Sequence, residues 1–155
     1  MRIIAGEFRG RRLNAPPGQQ TRPMLDRVRE SLFAILADRV EDARVLDLFA
    51  GTGSLGLEAL SRGAASAVFV ERHKGTANIL EANAEALLGE DLRTRTRFII
   101  GDASSPTTWR ADAAGQGGRW ADLLFLDPPY AWLEDPQRLR ALREFIPVLL
   151  GETLA

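Results

Sequence analysis

The chain has 155 residues, 45% of them hydrophobic and 26% charged, with a net charge of -1; these are the proportions of one ordinary globular domain with a core of its own. Cysteine is absent, which excludes disulfides, thiolate zinc sites and cysteine nucleophiles, and no metal is expected. No charged-then-apolar leader is read at the start and no apolar run reaches membrane-spanning length, so a cytoplasmic, monomeric protein without membrane contacts is expected.

The first thirty residues hold seven arginines (Arg2, Arg9, Arg11, Arg12, Arg22, Arg27 and Arg29) against Glu7, Asp26 and Glu30, a net +4 that leaves -5 on the remainder. A basic arm on an acidic body points to a polyanionic partner. The plainer reading is a preference for arginine, since Lys74 is the only lysine. Within the arm, "RIIAGEFRGRRL" reads as two short strands around a turn between Gly6 and Gly10. "NAPPGQQT" is a connector, and Pro23 suits a first helical turn. Leu25, Val28, Leu32, Ile35 and Leu36 then recur at helical spacing, with Asp26 and Arg29 placed for an intrahelical pair.

From here strands and helices alternate. "RVLDLFA" is a buried strand and "SLGLEALSRG" a helix closed by Gly63; "AVFVE" is a strand and "GTANILEANAEALLG" a helix ending at Gly89. "TRFIIGD" is a third strand, and residues 103–120 are a loop with at most one short helix, in which Trp109 and Trp120 serve as anchors. "ADLLFLD" is a fourth strand and "DPQRLRALREFIPVLL" a final helix. The expectation is an α/β domain with a mostly parallel sheet flanked by helices (residues 41–155), preceded by a hairpin-plus-helix extension (residues 1–40).

Parallel sheets bind ligands at the carboxyl ends of their strands. Those ends carry Asp47 to Gly53, Glu71, Asp102, and Asp127 to Tyr130. Gly51, Gly53 and Gly56 match G-x-G-x-x-G, and Glu71 stands where a ribose-binding acid belongs, so NAD and S-adenosylmethionine both satisfy this part. Asp47, just before the glycines, would repel a pyrophosphate and favour the ammonium and sulfonium of S-adenosylmethionine; a structural bond to loop amides is its plainer role. Asp102 suits an adenine amine or a helix N-cap, and His73 lies beside the adenosine position. "DPPY", Asp127 to Tyr130, closes an apolar strand with two residues that cannot donate, leaving acceptors outward. Asp127 and the Pro128 carbonyl can accept from one exocyclic amine and Tyr130 can stack on its base, while Trp132 either flanks that base or packs. The plainer alternative for DPPY is a rigid turn.

"LDLFAGTGSLGLEALSRGA", Glu71, "GDA" and "FLDPPY" resemble class I methyltransferases of exocyclic base amines, and "RIIAGEFRGRRL" with "TRPMLDRVRESLFAIL" resembles the bacterial 16S rRNA guanine-N2 methyltransferase family. The resemblance runs from the first residues to about Tyr130. It implies a Rossmann-like fold, S-adenosylmethionine as donor, and a guanine of 16S rRNA in the small ribosomal subunit or its assembly intermediate as acceptor. Its cofactor positions fall on Asp47, Phe49, Ala50, Gly51, Thr52, Gly53, Glu71, Arg72, Asp102 and Ala103. Its (N/D)-P-P-(Y/F) motif falls on Asp127, Pro128, Pro129 and Tyr130, and the arm would face RNA through Arg2, Arg9, Arg11, Arg12, Arg22 and Arg27. Members of that family continue with further strands beyond "ETLA", so the C-terminal strands of the fold are expected to be missing here. DPPY equally suits a DNA adenine-N6 methyltransferase, and a catalytically silent RNA-binding or assembly factor is a further alternative; an NAD-dependent oxidoreductase would leave DPPY and the basic arm unexplained.

Overall fold

The computed structural model describes residues 1–16, 26–109 and 120–152. Four strands, β1 (Arg44–Leu48), β2 (Ser66–Glu71), β3 (Thr96–Ile100) and β4 (Leu123–Leu126), pair in parallel in the spatial order β3-β2-β1-β4. Their side chains alternate between two buried faces. Val45, Phe69 and Phe125 join a core with Phe33, Leu57 and Leu80; Leu46, Leu48, Val70 and Ile99 join another with Trp109, Trp120, Phe145 and Leu149. Burial on both faces is why β1, β2 and β4 read as nearly unbroken apolar runs, whereas β3 at the sheet's edge leaves Arg97 and Ile100 exposed.

Helices α1 (Asp26–Leu36), α2 (Ser54–Ser61) and α3 (Lys74–Leu88) cover the first face, and α6 (Pro136–Glu152) covers the second. Between them lie the short α4 (Leu92–Arg95) and α5 (Tyr130–Glu134). The stop at Gly63 takes the expected form: the Ala64 N–H donates to the Ala59 carbonyl at 3.0 Å and the Gly63 N–H to Leu60 at 3.2 Å, with Gly63 at φ +99°. No described helix is long and apolar enough to cross a membrane.

The structure sharpens two expectations. The N-terminal hairpin forms but is short: around the antiparallel Arg2–Arg12 bridge the Ile3 N–H donates to the Arg11 carbonyl at 2.9 Å, the Leu13 N–H to the Met1 carbonyl at 3.0 Å and the Gly10 N–H to the Ile3 carbonyl at 2.9 Å. Its turn end bonds to the body: the Ile4 and Ala5 amides donate to Glu58, and those of Glu7 and Phe8 to the Ser61 carbonyl and hydroxyl, all on α2. The arm therefore lies on the body, with Ile3 and Leu13 in the core shared with β1. Helix α1 forms, but it buries Arg29 and Phe33 and leaves Val28 and Ile35 at 52% and 80% exposure. The Phe33 ring stands 5.7 Å from Phe125, and this contact, with the ion pairing of Arg29, sets the helix's rotation. Leu25, Pro23, Arg22 and most of the connector lie outside the described residues. So does most of the expected loop before β4, of which a 3-10 turn, Pro106–Thr108, is seen.

Candidate active site

Chain order runs outward from β1 through β2 to β3, then returns to the other side of β1 with β4. The switch point therefore lies between the carboxyl ends of β1 and β4, where a crevice opens in a sheet of this kind. The two segments that meet there are the glycine loop after β1 and DPPY after β4.

The loop is wound tightly by three left-handed residues, Phe49, Gly51 and Gly53, at φ +61°, +57° and +89°. Its glycines have different duties. A Cβ on Gly53 would stand 2.3 Å from a methyl of Leu80, and one on Gly56 would stand 2.3 Å from the Phe69 ring. Both therefore serve packing against the body, whereas a Cβ on Gly51 would meet nothing within 4 Å. Gly51 is where the backbone faces open space. Ala50 is buried and donates its N–H to the Val70 carbonyl at 3.0 Å, stitching the loop to β2.

Glu71 closes β2 and holds this loop from below. One carboxylate oxygen accepts from the Gly51 N–H at 2.9 Å and the other from the His73 N–H at 2.8 Å. Each oxygen retains a second lone pair. Asp47 is 2% exposed and accepts from the Gly56 N–H at 2.9 Å, so it caps the first turn of α2 from within β1. Burial pushes its carboxyl up to about 7, with Asp127 and Glu71 adding repulsion. Partial burial also raises the Asp127 carboxyl above the ordinary carboxylate range. Asp47 thus feels the acids at the ends of both β2 and β4. Asp102 follows β3, farther out in the sheet; one of its oxygens accepts from the Ser104 N–H at 3.0 Å and hydroxyl at 2.6 Å. Ala103 is buried and its carbonyl accepts from the Trp109 indole at 3.2 Å, while Arg72 and His73 are exposed.

After β4, Pro128 and Pro129 lead directly into α5, which begins at Tyr130. The Tyr130 ring is 75% exposed. Trp132 packs edge-on against Phe49 with ring centroids 5.0 Å apart, and the Arg138 guanidinium lies 5.4 Å over the Trp132 ring. Of the two roles for Trp132, packing is the one observed. That contact ties DPPY to the glycine loop.

The model of the family described as "Conserved hypothetical protein 95" matches residues 1–147. The chain belongs to this family. "Putative rRNA methyltransferase YlbH" of Bacillus subtilis is 37% identical over 146 residues, spanning 94% of this chain and 73% of that protein. "Ribosomal RNA small subunit methyltransferase D" of Escherichia coli is 40% identical over 130 residues, spanning 84% of this chain. The match spans only 60% of that relative's length. The solved structure of "Putative methyltransferase yhhF" from Escherichia coli superimposes with a TM-score of 0.75 at 36% identity, covering 100% of this chain and 75% of that one. The sheet and helices are accordingly a Rossmann-like class I methyltransferase fold.

In this family member the arm's arginines are not equivalent. Arg9, Arg12 and Arg27 are exposed; Arg2 is also exposed but pairs with Asp26 at 3.3 Å. The Arg11 guanidinium donates to the Ala86 carbonyl at 2.7 Å, so it satisfies the last turn of α3. Arg22 lies outside the described residues. Among the described residues no group of three His, Asp or Glu is gathered for a metal ion.

Three buried polar residues escape a reading by motif. Glu58 accepts from the arm's Ile4 and Ala5 amides and from Arg62, and faces Arg29 at 3.5 Å. Ser61 donates its hydroxyl to the Ala5 carbonyl at 2.6 Å. Asn83 reaches both Asn14 and Thr52. The signal for each was a polar side chain at a core position of an apolar helix, such as Asn83 one turn from Leu80.

Proposed function

We propose that the protein uses S-adenosylmethionine to methylate the exocyclic N2 amine of one guanine in 16S rRNA, in the small ribosomal subunit or its assembly intermediate in the cytoplasm. The carrying observation is DPPY held at the switch point against the glycine loop by the Phe49–Trp132 contact. The names borne by the relatives support an rRNA substrate.

The residues fit the methyl donor. Gly51 offers open backbone, Glu71 has lone pairs left for two ribose hydroxyls, and the buried Asp47 with Glu71 beside it favours a ligand with positive charge over a pyrophosphate. Phe49, Ala50, Thr52, Gly53, Arg72, Asp102 and Ala103 complete the proposed cofactor surface. When bound, S-adenosylmethionine supplies an activated methyl group to the amine directly, without a covalent enzyme intermediate.

The amine is a poor nucleophile because its lone pair is delocalised into the guanine ring. Asp127 and the Pro128 carbonyl hold it as acceptors, with Pro129 fixing the turn, and disperse positive charge as it develops. Partial burial raises the pKa of Asp127, which makes its carboxylate a better acceptor for the departing proton than an ordinary one. Tyr130 presents an open ring, and stacking on it is worth about 1–3 kcal/mol, against the few kcal/mol that extruding a stacked base costs. The extension of residues 1–40 faces the RNA through Arg2, Arg9, Arg12, Arg22 and Arg27, with Arg11 divided between RNA and α3.

Labelled S-adenosylmethionine incubated with unmodified small subunits, duplex DNA or buffer tests the reading. Label in guanine N2 of 16S rRNA is expected; label in DNA adenine would turn the assignment to an adenine-N6 enzyme, and none anywhere would leave a silent RNA-binding protein. Asp127→Ala is expected to bind cofactor normally and lose transfer by at least a hundredfold. Full activity in that variant removes Asp127 from the mechanism.

A further inference from the structure

The end of the arm and the glycine loop meet at one side chain. Asn83 on α3 is 2% exposed, and its amide is spent entirely on backbone. Its Nδ2 donates to the Thr52 carbonyl at 3.1 Å and to the Asn14 carbonyl at 3.1 Å, while its Oδ1 accepts from the Asn14 N–H at 2.8 Å. Thr52 lies between Gly51 and Gly53, in the turn that faces open space; Asn14 follows the last arm residue held in the core, Leu13. Neither segment belongs to a helix or strand, so neither can fix its own carbonyl direction through a ladder.

We propose that Asn83 is a positioning residue that couples the arm to the cofactor loop, so that seating the nucleoside ligand and docking the arm on the body favour each other. The inference rests on the cofactor assignment made above. The physical reason is that one rigid amide plane serves both segments. A ligand packed on Gly51 and Thr52 restricts the Thr52 carbonyl, which fixes the amide and hence both bonds to Asn14. If the arm lifts, Oδ1 loses its donor and one Nδ2 hydrogen its acceptor, and the amide is free to tilt away from Thr52. The coupling is reciprocal by linkage, and effects of this kind run from about fivefold to 150-fold in affinity. An arm carrying Arg9 and Arg12 is then held for a polyanion most firmly when the methyl donor is present.

The test is hydrogen exchange of residues 1–16 in the 155-residue chain, with and without saturating S-adenosylhomocysteine, whose binding is measured separately by calorimetry. In the wild type the ligand is expected to slow exchange at Leu13 and Asn14 by at least fivefold. Asn83→Asp keeps an acceptor for the Asn14 N–H and removes the donor to both the Thr52 and Asn14 carbonyls; it should still bind the ligand and lose that slowing. Leu88→Ala, a core truncation on the same helix, is the structural control and should keep it. The proposal is overturned if the bound ligand leaves arm exchange unchanged in the wild type. It is equally overturned if the slowing survives in Asn83→Asp, or vanishes in Leu88→Ala as well. Should Asn83→Asp not fold, the wild-type comparison still decides. Failure of the ligand to bind the wild type at all removes the cofactor assignment and this inference with it, an outcome calorimetry separates from the others.

Discussion

Asp47 is an acid held at the end of a buried strand with a single amide bond, and its pKa near 7 gives it a pH signature. Between the ordinary carboxylate value of 3.8 and about 7, the folded state keeps a proton that the unfolded chain has lost. Stability of the ligand-free protein should therefore fall as pH rises through that window and level off above it. Asp47→Asn keeps an acceptor for Gly56, and should flatten the profile and stabilise the protein at pH 8 by roughly 1–3 kcal/mol; urea denaturation at pH 5 and pH 8 measures it. A cationic ligand reverses the preference, so S-adenosylmethionine binding at pH 7 should release a fraction of a proton. Calorimetry in buffers of different ionisation enthalpy detects this, and no release would mean that Asp47 does not sense the ligand. Asp122 has the opposite sign: its bidentate bond with Arg44 holds its pKa low, so its contribution is lost only as pH falls below the ordinary carboxylate range.

The arm is the least regular element and among the most firmly bonded. A Cβ on Gly6 would stand 1.8 Å from the Ser61 carbonyl oxygen, and Gly6 sits at φ +82°, so both space and backbone conformation demand glycine there. Below it, Glu58 and Arg29 form an ion pair with neither side chain exposed, joining α1 to α2 beneath the arm. Without Glu58, the buried Arg29 keeps only the half-exposed Asp26, 3.1 Å away, as its counter-charge. Glu58→Gln is expected to cost about 3 kcal/mol, a fall of roughly 6–12 °C in Tm, and to speed exchange at Ile4 and Ala5; scanning calorimetry and hydrogen exchange measure the two. Arg9 and Arg12 have no such duties. Replacing both by alanine should leave Tm within about 1 °C while weakening RNA binding and flattening its dependence on log salt by about 1–2. An unchanged slope would make them a solvated face. Replacing Arg11 instead confounds the two effects, because its guanidinium also closes α3.

Across the whole molecule, β1 and β2 each have two strand partners, whereas β3 and β4 have one each among the described residues. Backbone amides of Leu46, Leu48 and Phe69 should exchange most slowly and those of β3 and β4 sooner, by native-state exchange. This order is what makes the site: both chain reversals place their loops at one edge, and the two cores pin β1 between α2 and α6. Much of that plan was legible in the sequence. All four strands and the stops at Gly63 and Gly89 follow from apolar runs and glycine chemistry, as does the gathering of strand-end residues at one edge. What was not legible depends on partners distant in the chain. The docking of the hairpin on α2 is one such feature: Glu58 and Ser61, over fifty positions away, take the amides of its turn end. Nor does the glycine spacing show that the space beside Gly53 and Gly56 belongs to Leu80 and Phe69.

By itself the sequence determined which residue types stand at the strand ends, because a parallel strand buried on both faces must be an apolar run and the first polar residues after it mark its carboxyl end. It also carried the charge division between arm and body. Only the tertiary structure decided which of those ends face each other. Strand order, and with it the pairing of the glycine loop with DPPY, is set by long-range packing that no local period encodes. The same holds for the buried polar residues: whether Glu58, Asn83 or Asp47 binds a ligand or the chain itself depends on which backbone groups folding brings within about 3 Å.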